Sequence, residues 1–125
     1  KRMYKGPFTA PQHPIRNCVY AEIEAAYTAG RGGCELIHEQ GEYYRSLGMP
    51  EKNGIITSGV LLRQRTPQVM SLCEAWWNET NKWSLRDQVS FANVSRNTLF
   101  HTVKWEYHRS RELVYIKHSD SYNKK

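Results

Sequence analysis

Aspartate is nearly missing from this chain of 125 residues: the twelve acidic residues include only Asp87 and Asp120, and the other ten are glutamate. Two aspartates so far apart exclude an Asp-x-Asp metal motif by direct count. Cysteine is sparse as well. Cys18, Cys34 and Cys73 form no CxxC pair, and three thiols support neither a disulfide framework nor a zinc knuckle, so they read as buried free thiols. No stretch approaches the roughly 18–20 consecutive apolar residues that cross a bilayer, and the charged start KRMYKGPFTAPQHP has no apolar signal core. No membrane span is expected in this segment. Glycine-rich phosphate loops are missing too, since Gly30-Arg31-Gly32-Gly33 follows helical periodicity rather than a strand and lacks the required spacing. There is no GxSxG elbow and no HExxH.

What is present is globular: 39% hydrophobic and 12% aromatic residues, with four Trp and eight Tyr, in a length suited to one domain with one core. The net charge of +6 comes from 18 Lys and Arg scattered along the chain without a basic run. That pattern lacks a nucleic-acid reader, and it attracts anionic small molecules such as sugar nucleotides equally well. No nucleic-acid partner is expected. Lys at position 1 suggests a processed product or an excised segment. The sequons at Asn78 and Asn93 and the free cysteines leave the compartment unknown.

Residues 1–14, rich in proline and without periodicity, read as an extended lead-in to a single portion over 15–125. Ile15, Val19, Ile23 and Ala26 recur at helical spacing up to Gly30, predicting a helix over 15–29. A second, polar helix is expected over 34–47, ending at Gly48 ahead of Pro50. GIITSGVLLRQ, residues 54–64, reads as a buried strand with a bulge or close approach at Gly59. Thr66 caps and Pro67 opens the next helix, with Val69, Cys73, Trp76, Trp77 and Thr80 on one broad apolar face. Ser84 to Asp87 has the form of a capping box opening a short helix that runs through Arg96. LFHTVKWEY and ELVYIKH then alternate as two closing strands. Mixed α/β architecture follows, and so few strands suggest a partial domain.

The densest cluster of candidate chemistry is Trp76-Trp77-Asn78-Glu79 followed by Trp83 to Phe91. A helix N-terminus there presents Arg86, Asp87 and Gln88 together. Its dipole and free N–H groups would hold Asp87 as an anion fit to accept a proton or bind sugar hydroxyls. The plainer alternative makes Asp87 the partner of Ser84 in the capping box. Trp76 and Trp77 read first as core. Arg16 can reach a phosphate through a bidentate contact. Its spacing of six from Glu22 is about 600° around a helix, so the two are expected to act separately. Asn53 is a candidate substrate contact, although Asn-Gly is first a turn signal.

Four pieces of this sequence together resemble a glycosyltransferase-like family that includes plant mucilage-related and pollen-tube proteins and bacterial and viral members. They are His13-Pro14-Ile15-Arg16 with Cys18-Val19-Tyr20 and Glu22; Tyr44 with Gly48-Met49-Pro50 and Asn53-Gly54; Val60 to Arg63; and Trp76-Trp77 with Arg86 to Phe91. The resemblance covers roughly residues 13–96. It implies an α/β fold, a partial GT-A-like (nucleotide-diphospho-sugar transferase) mixed sheet flanked by helices, of which this chain would be the C-terminal, acceptor-side portion. It further implies transfer of a hexose-type sugar from a nucleotide sugar to a hydroxyl of a glycan or other acceptor. Asp87 would be the catalytic residue, and Arg16, Asn53, Trp83, Arg86 and Gln88 would contact substrate. His118 would ligate a divalent metal, Mn or Mg. Such families carry the metal motif on an N-terminal half, so an upstream segment or second chain would complete the fold.

A second class of function competes with this one: a non-catalytic carbohydrate-binding or structural module derived from such an enzyme, keeping Trp83, Arg86, Asp87 and Gln88 as a sugar-contacting edge. The enzyme requires an upstream Asp-x-Asp and the module requires none. A basic nucleic-acid-binding domain is the remaining alternative, and steep salt dependence would mark it.

Overall fold

Phe8, Thr9, Ala10 and Pro11 are all buried, and they make the proline-rich start of the chain the middle strand of its sheet. The computed structural model of the chain describes residues 5–30 and 32–104. Strand β1 (Phe8–Pro11) pairs antiparallel with β2 (Leu62–Arg63) and parallel with β3 (His101–Val103), giving the order β2-β1-β3. The extended lead-in is therefore a structural centre. Pro11 sits at the end of β1, where its missing N–H costs no ladder bond, and its carbonyl accepts from Thr57 N–H at 2.9 Å.

Among the described residues four helices accompany the sheet: α1 (Val19–Thr28), α2 (Ile37–Ser46), α3 (Pro67–Lys82) and α4 (Asp87–Val94). The first begins later than the periodicity predicts. Ile15 is 80% exposed and lies before the helix, which opens after Cys18 as its N-cap. Helix α2 keeps Ile37, Gln40, Gly41 and Tyr44 inside and ends where Gly48 adopts a positive φ of 80°. Glycine in mid-helix costs about 1 kcal/mol relative to alanine, and at Gly41 a Cβ would come 3.0 Å from Ile23 Cδ1. Close contact between α1 and α2 accounts for the residue. Helix α3 starts as its sequence demands, with Thr66 Oγ1 accepting from Val69 N–H at 3.2 Å and Pro67 in the first turn.

Two expected elements take another form. Of residues 54–64 only Leu62–Arg63 forms a ladder; Ile55 to Thr57 runs antiparallel to Pro11 to His13, with Ile56 bridged to Gln12, and the chain then bends at Gly59. Ser58 leaves the strand direction by donating its hydroxyl to Asp87 across 2.8 Å. The capping box at Ser84 does not form either. Ser84 Oγ donates to Gln40 Oε1 at 2.7 Å, and α4 begins at Asp87 after an N-cap Arg86 whose side chain makes no cap bond. Expected residues Glu112 to His118 of the last strand lie outside the described residues.

The core has two lobes that share elements. One gathers Val19, Ile23, Ile37, Tyr44, Ile55 and Val89; the other gathers Phe8, Ile56, Val69, Leu72, Trp76 and Phe91. Neighbouring Ile55 and Ile56 point into different lobes because an extended chain alternates its side chains. Helix α4 does the same with Val89 and Phe91. The second lobe is an aromatic cluster: Phe91 stacks on Phe8 at 5.2 Å and meets Trp76 and Phe100 edge-on at 4.8 and 5.0 Å. A buried polar chain ties α2, α3 and α4 together. Gln40 donates to Tyr44 and Ser90, Tyr44 donates to Glu79 at 2.7 Å, and Asn93 donates to the same carboxylate at 3.0 Å. Cys34 is buried, while Cys18 and Cys73 are only half-buried, against the expectation of three buried thiols.

Trp76 and Trp77 part company. Trp76 is buried and its Nε1 donates to the Asp87 carbonyl at 2.7 Å, whereas Trp77, expected on the same apolar face, is 69% exposed. Trp76→Ala should therefore destabilise the chain by about 3–5 kcal/mol, and Trp77→Ser should change stability by less than about 0.5 kcal/mol in denaturant unfolding. Equal losses for the two would contradict this packing.

Candidate functional site

At the carboxyl end of β1 the chain turns sharply, because His13 Nδ1 accepts two backbone N–H groups, from Ile15 at 3.2 Å and from Arg16 at 3.0 Å. That double acceptance leaves the proton on Nε2 of a neutral ring. The turn also moves Arg16 off any helix, so the 600° separation from Glu22 does not apply. Arg16 Nε donates to Glu22 Oε1 at 2.6 Å, and the two expected to act separately are a tight ion pair.

Glu22, on the first turn of α1, is 1% exposed and holds a second guanidinium: Arg86 Nη2 donates to Oε2 at 3.1 Å. His13 Nε2 stands 3.6 Å from Oε1. One carboxylate between two arginines leaves the cluster one positive charge in excess. Burial pushes the Glu22 carboxyl up, but the hydrogen bonds and charges of Arg16 and Arg86 outweigh it and hold it below the usual carboxylate range. For His13 burial is the largest influence and lowers its affinity for a proton; Glu22 raises it, and Arg16 and Arg86 lower it further. The net direction is downward, in keeping with the neutral ring.

Arg16 forms one wall of a cleft of about 550 Å³. Gln12 and His13 beyond the end of β1, Thr102 on β3, Asn53 and Gly54 from the turn before Ile55, and Gln88 on α4 build its polar side, while Met49, Ile56, Phe91 and Phe100 supply apolar surface. Crevices beyond the carboxyl ends of parallel strands, as between β1 and β3, are the usual ligand positions in α/β sheets. Asn53 and Gly54 fulfil the turn reading as well: Gly54 has a φ of 91° and donates its N–H to the Asn17 carbonyl at 2.7 Å.

The candidate residues named from sequence divide between three places. Arg16, Asn53 and Gln88 line the cleft. Arg86 lies behind it, donating to Glu22 and, at 2.9 Å, to Gln88 Oε1, so that it positions a wall residue. Asp87 and Trp83 are not in the cleft wall. The Asp87 carboxylate accepts from Ser58, and Trp83 stacks on Tyr43 at 5.4 Å with Lys82 Nζ over its ring. His118 lies outside the described residues. Sequence reading missed Arg96, which enters the cleft wall just past α4 and donates to the Leu47 carbonyl at 3.3 Å. Its only local signal was its place as the last residue of the expected helix. Among the described residues no three His, Cys, Asp or Glu side chains converge to hold a metal. The described cleft lining has two arginines and no carboxylate, a donor set suited to an anion and not to Mn or Mg.

Replacing Glu22 by Gln should destabilise the fold by about 3 kcal/mol or more, since two guanidiniums lose their shared counter-charge. The pH dependence has a definite sign. The unfolded chain protonates Glu22 near its ordinary value of about 4.3 and the folded chain only lower, so its contribution is complete above that value and lost as pH falls through the folded one. Unfolding measured across this acid window should lose up to about 1.4 kcal/mol per pH unit of slope in Glu22→Gln. An unchanged slope would show that the carboxylate is not held by the arginines.

A family model described as TOD1/MUCI70, glycosyltransferase-like domain, matches residues 3–116. The chain is also 27% identical over 106 residues to a relative named probable hexosyltransferase MUCI70, from Arabidopsis thaliana. That match takes in 78% of this chain and 18% of the relative, so the chain spans less than a fifth of the protein it resembles. No solved structure matches. The family match extends over the turn at His13, the Glu22 ion cluster and every described residue of the cleft wall: this chain belongs to the TOD1/MUCI70 glycosyltransferase-like domain family.

Proposed function

We propose that the cleft is the donor site of a hexosyltransferase, receiving a nucleotide sugar and presenting its hexose to a hydroxyl of a glycan or other acceptor. The observation that carries this is the cleft itself, lined by two arginines, neutral polar groups and apolar side chains, inside the segment that the glycosyltransferase-like model matches. A nucleotide sugar has the complementary make-up: a charged diphosphate, planar and apolar faces, and many hydroxyls for the amides of Asn53 and Gln88. In the reaction the bond between the anomeric carbon and the diphosphate oxygen breaks. A bond from the acceptor oxygen to that carbon forms, and the hydroxyl proton passes to a base while the nucleoside diphosphate leaves.

Asp87 is proposed as that base; its carboxylate accepts from Ser58, and the acceptor hydroxyl would lie between it and the donor's anomeric carbon. Arg86 and Gln88 flank it and join it to the donor. A GT-A-like fold completed by an upstream segment or second chain carrying Asp-x-Asp belongs to the same proposal, and the Mn or Mg ion with it. The described residues do not form that ion's site, and His118 would add one ligand. What this chain's own residues do is hold the donor at Arg16, Asn53 and Gln88 and exclude water along the Phe91 side.

Calorimetric titration with UDP- and GDP-hexoses, with and without Mn²⁺, should find one sugar nucleotide that binds more tightly than its bare nucleoside diphosphate. With a hydroxyl acceptor and the completing segment present, Asp87→Asn should lower turnover by about 10²-fold or more with little change in donor affinity. No preference for any hexose-bearing nucleotide would overturn the donor-site reading. Preference without turnover in any combination would instead favour the carbohydrate-binding module.

A further inference from the structure

We infer that Arg16 and Arg96 form a preorganised anion clamp in the cleft that takes a diphosphate group directly through their guanidiniums, whether or not the Mn or Mg ion of a completing half is present. The inference rests on the donor-site reading for its natural ligand and adds how the charge is bound. Both arginines belong to the described lining, and no aspartate or glutamate does. A cation-bridged diphosphate needs carboxylates facing it; among the described residues two arginines and neutral polar and apolar side chains line this space.

Each arginine is held at one edge by the protein. Arg16 has its Nε on Glu22, and its side chain keeps 33% exposure. Arg96 is exposed and anchored by Nη1 to the Leu47 carbonyl. A guanidinium fixed at one edge loses little further rotamer freedom when its other edge meets a phosphate, which is the geometry of the strong bidentate contact. Glu22 does not cancel the pair, because Arg86 shares it from behind. Neutral His13, with its proton on Nε2, adds no negative charge, and Gln12, Asn17 and Asn53 offer amide donors to phosphate oxygens. The apolar surface at Phe91 and Phe100 closes one side and lowers the local dielectric, strengthening each contact.

The test is binding of inorganic pyrophosphate, UDP and uridine to the full chain in EDTA and again in Mg²⁺, by calorimetry. Pyrophosphate and UDP should bind in EDTA with affinities within about threefold of those in Mg²⁺, and uridine should bind much more weakly. Arg96→Gln, at an exposed position, should weaken pyrophosphate by about tenfold, the loss of one charge-assisted contact. Arg16→Lys keeps a positive charge beside Glu22 while removing the fork, and should weaken it by a similar factor, with unfolding midpoints confirming that both variants are folded. Binding that requires Mg²⁺, or that neither substitution changes, overturns the clamp. The two proposals fail separately: pyrophosphate binding in EDTA without any hexose preference leaves the clamp standing and removes the donor-site reading, and hexose preference with cation-dependent diphosphate binding does the reverse.

Discussion

A buried carboxylate between two guanidiniums is the constraint on which the rest of this structure depends. Glu22 is almost fully withdrawn from water, and an unpaired charge there would cost several kcal/mol. Its partners come from opposite parts of the chain: Arg16 from the turn after β1, and Arg86 from the entry to α4, 64 residues on. Satisfying one carboxylate thus fixes the start of α1 against the start of α4. It also decides what the cleft can bind, because the same interaction that stabilises the fold orients Arg16 and, through Arg86, Gln88.

Packing completes what the ion cluster begins. Helix α4 is short, yet it contributes Val89 to one lobe of the core and Phe91 to the other, while Gln88 faces the cleft. The aromatic cluster around Phe91 clamps it to β1, and the polar chain from Gln40 through Tyr44 to Glu79 and Asn93 fastens it to α2 and α3. Burial drives the Tyr44 hydroxyl far above its ordinary value, so it stays protonated and donates to Glu79. The cleft wall is thereby built on packed elements, which is what holding a ligand in one geometry requires.

Where the chain carried local signals, they were legible. Thr66-Pro67 opened α3 as expected because a cap and a fixed φ act within a few residues. Asn53-Gly54 made its turn for the same reason, and Gly48 ended α2. Signals that seemed equally local failed where a distant partner competed for the same atoms. Ser84 has the form of a cap, but Gln40 captures its hydroxyl. Residues 54–64 have the composition of one strand, but Ser58 bonds to Asp87 and the chain bends. Ile15 continues a helical period that His13 interrupts by accepting the backbone N–H groups of Ile15 and Arg16.

By itself, the sequence determined the mixed α/β class, the helices and their order, the family, and the presence of Arg16, Asn53 and Gln88 among the candidate residues. These follow from periodicity, capping and motif, which are properties of neighbours along the chain. Only the tertiary structure decided that residues 8–11 are the central strand, that Arg16 and Glu22 are partners, that Arg96 joins the cleft, and that Asp87 and Trp83 stand outside it. Strand partners and shared counter-charges are chosen by which surfaces close together on folding, and no spacing within a segment encodes a contact made across 64 residues.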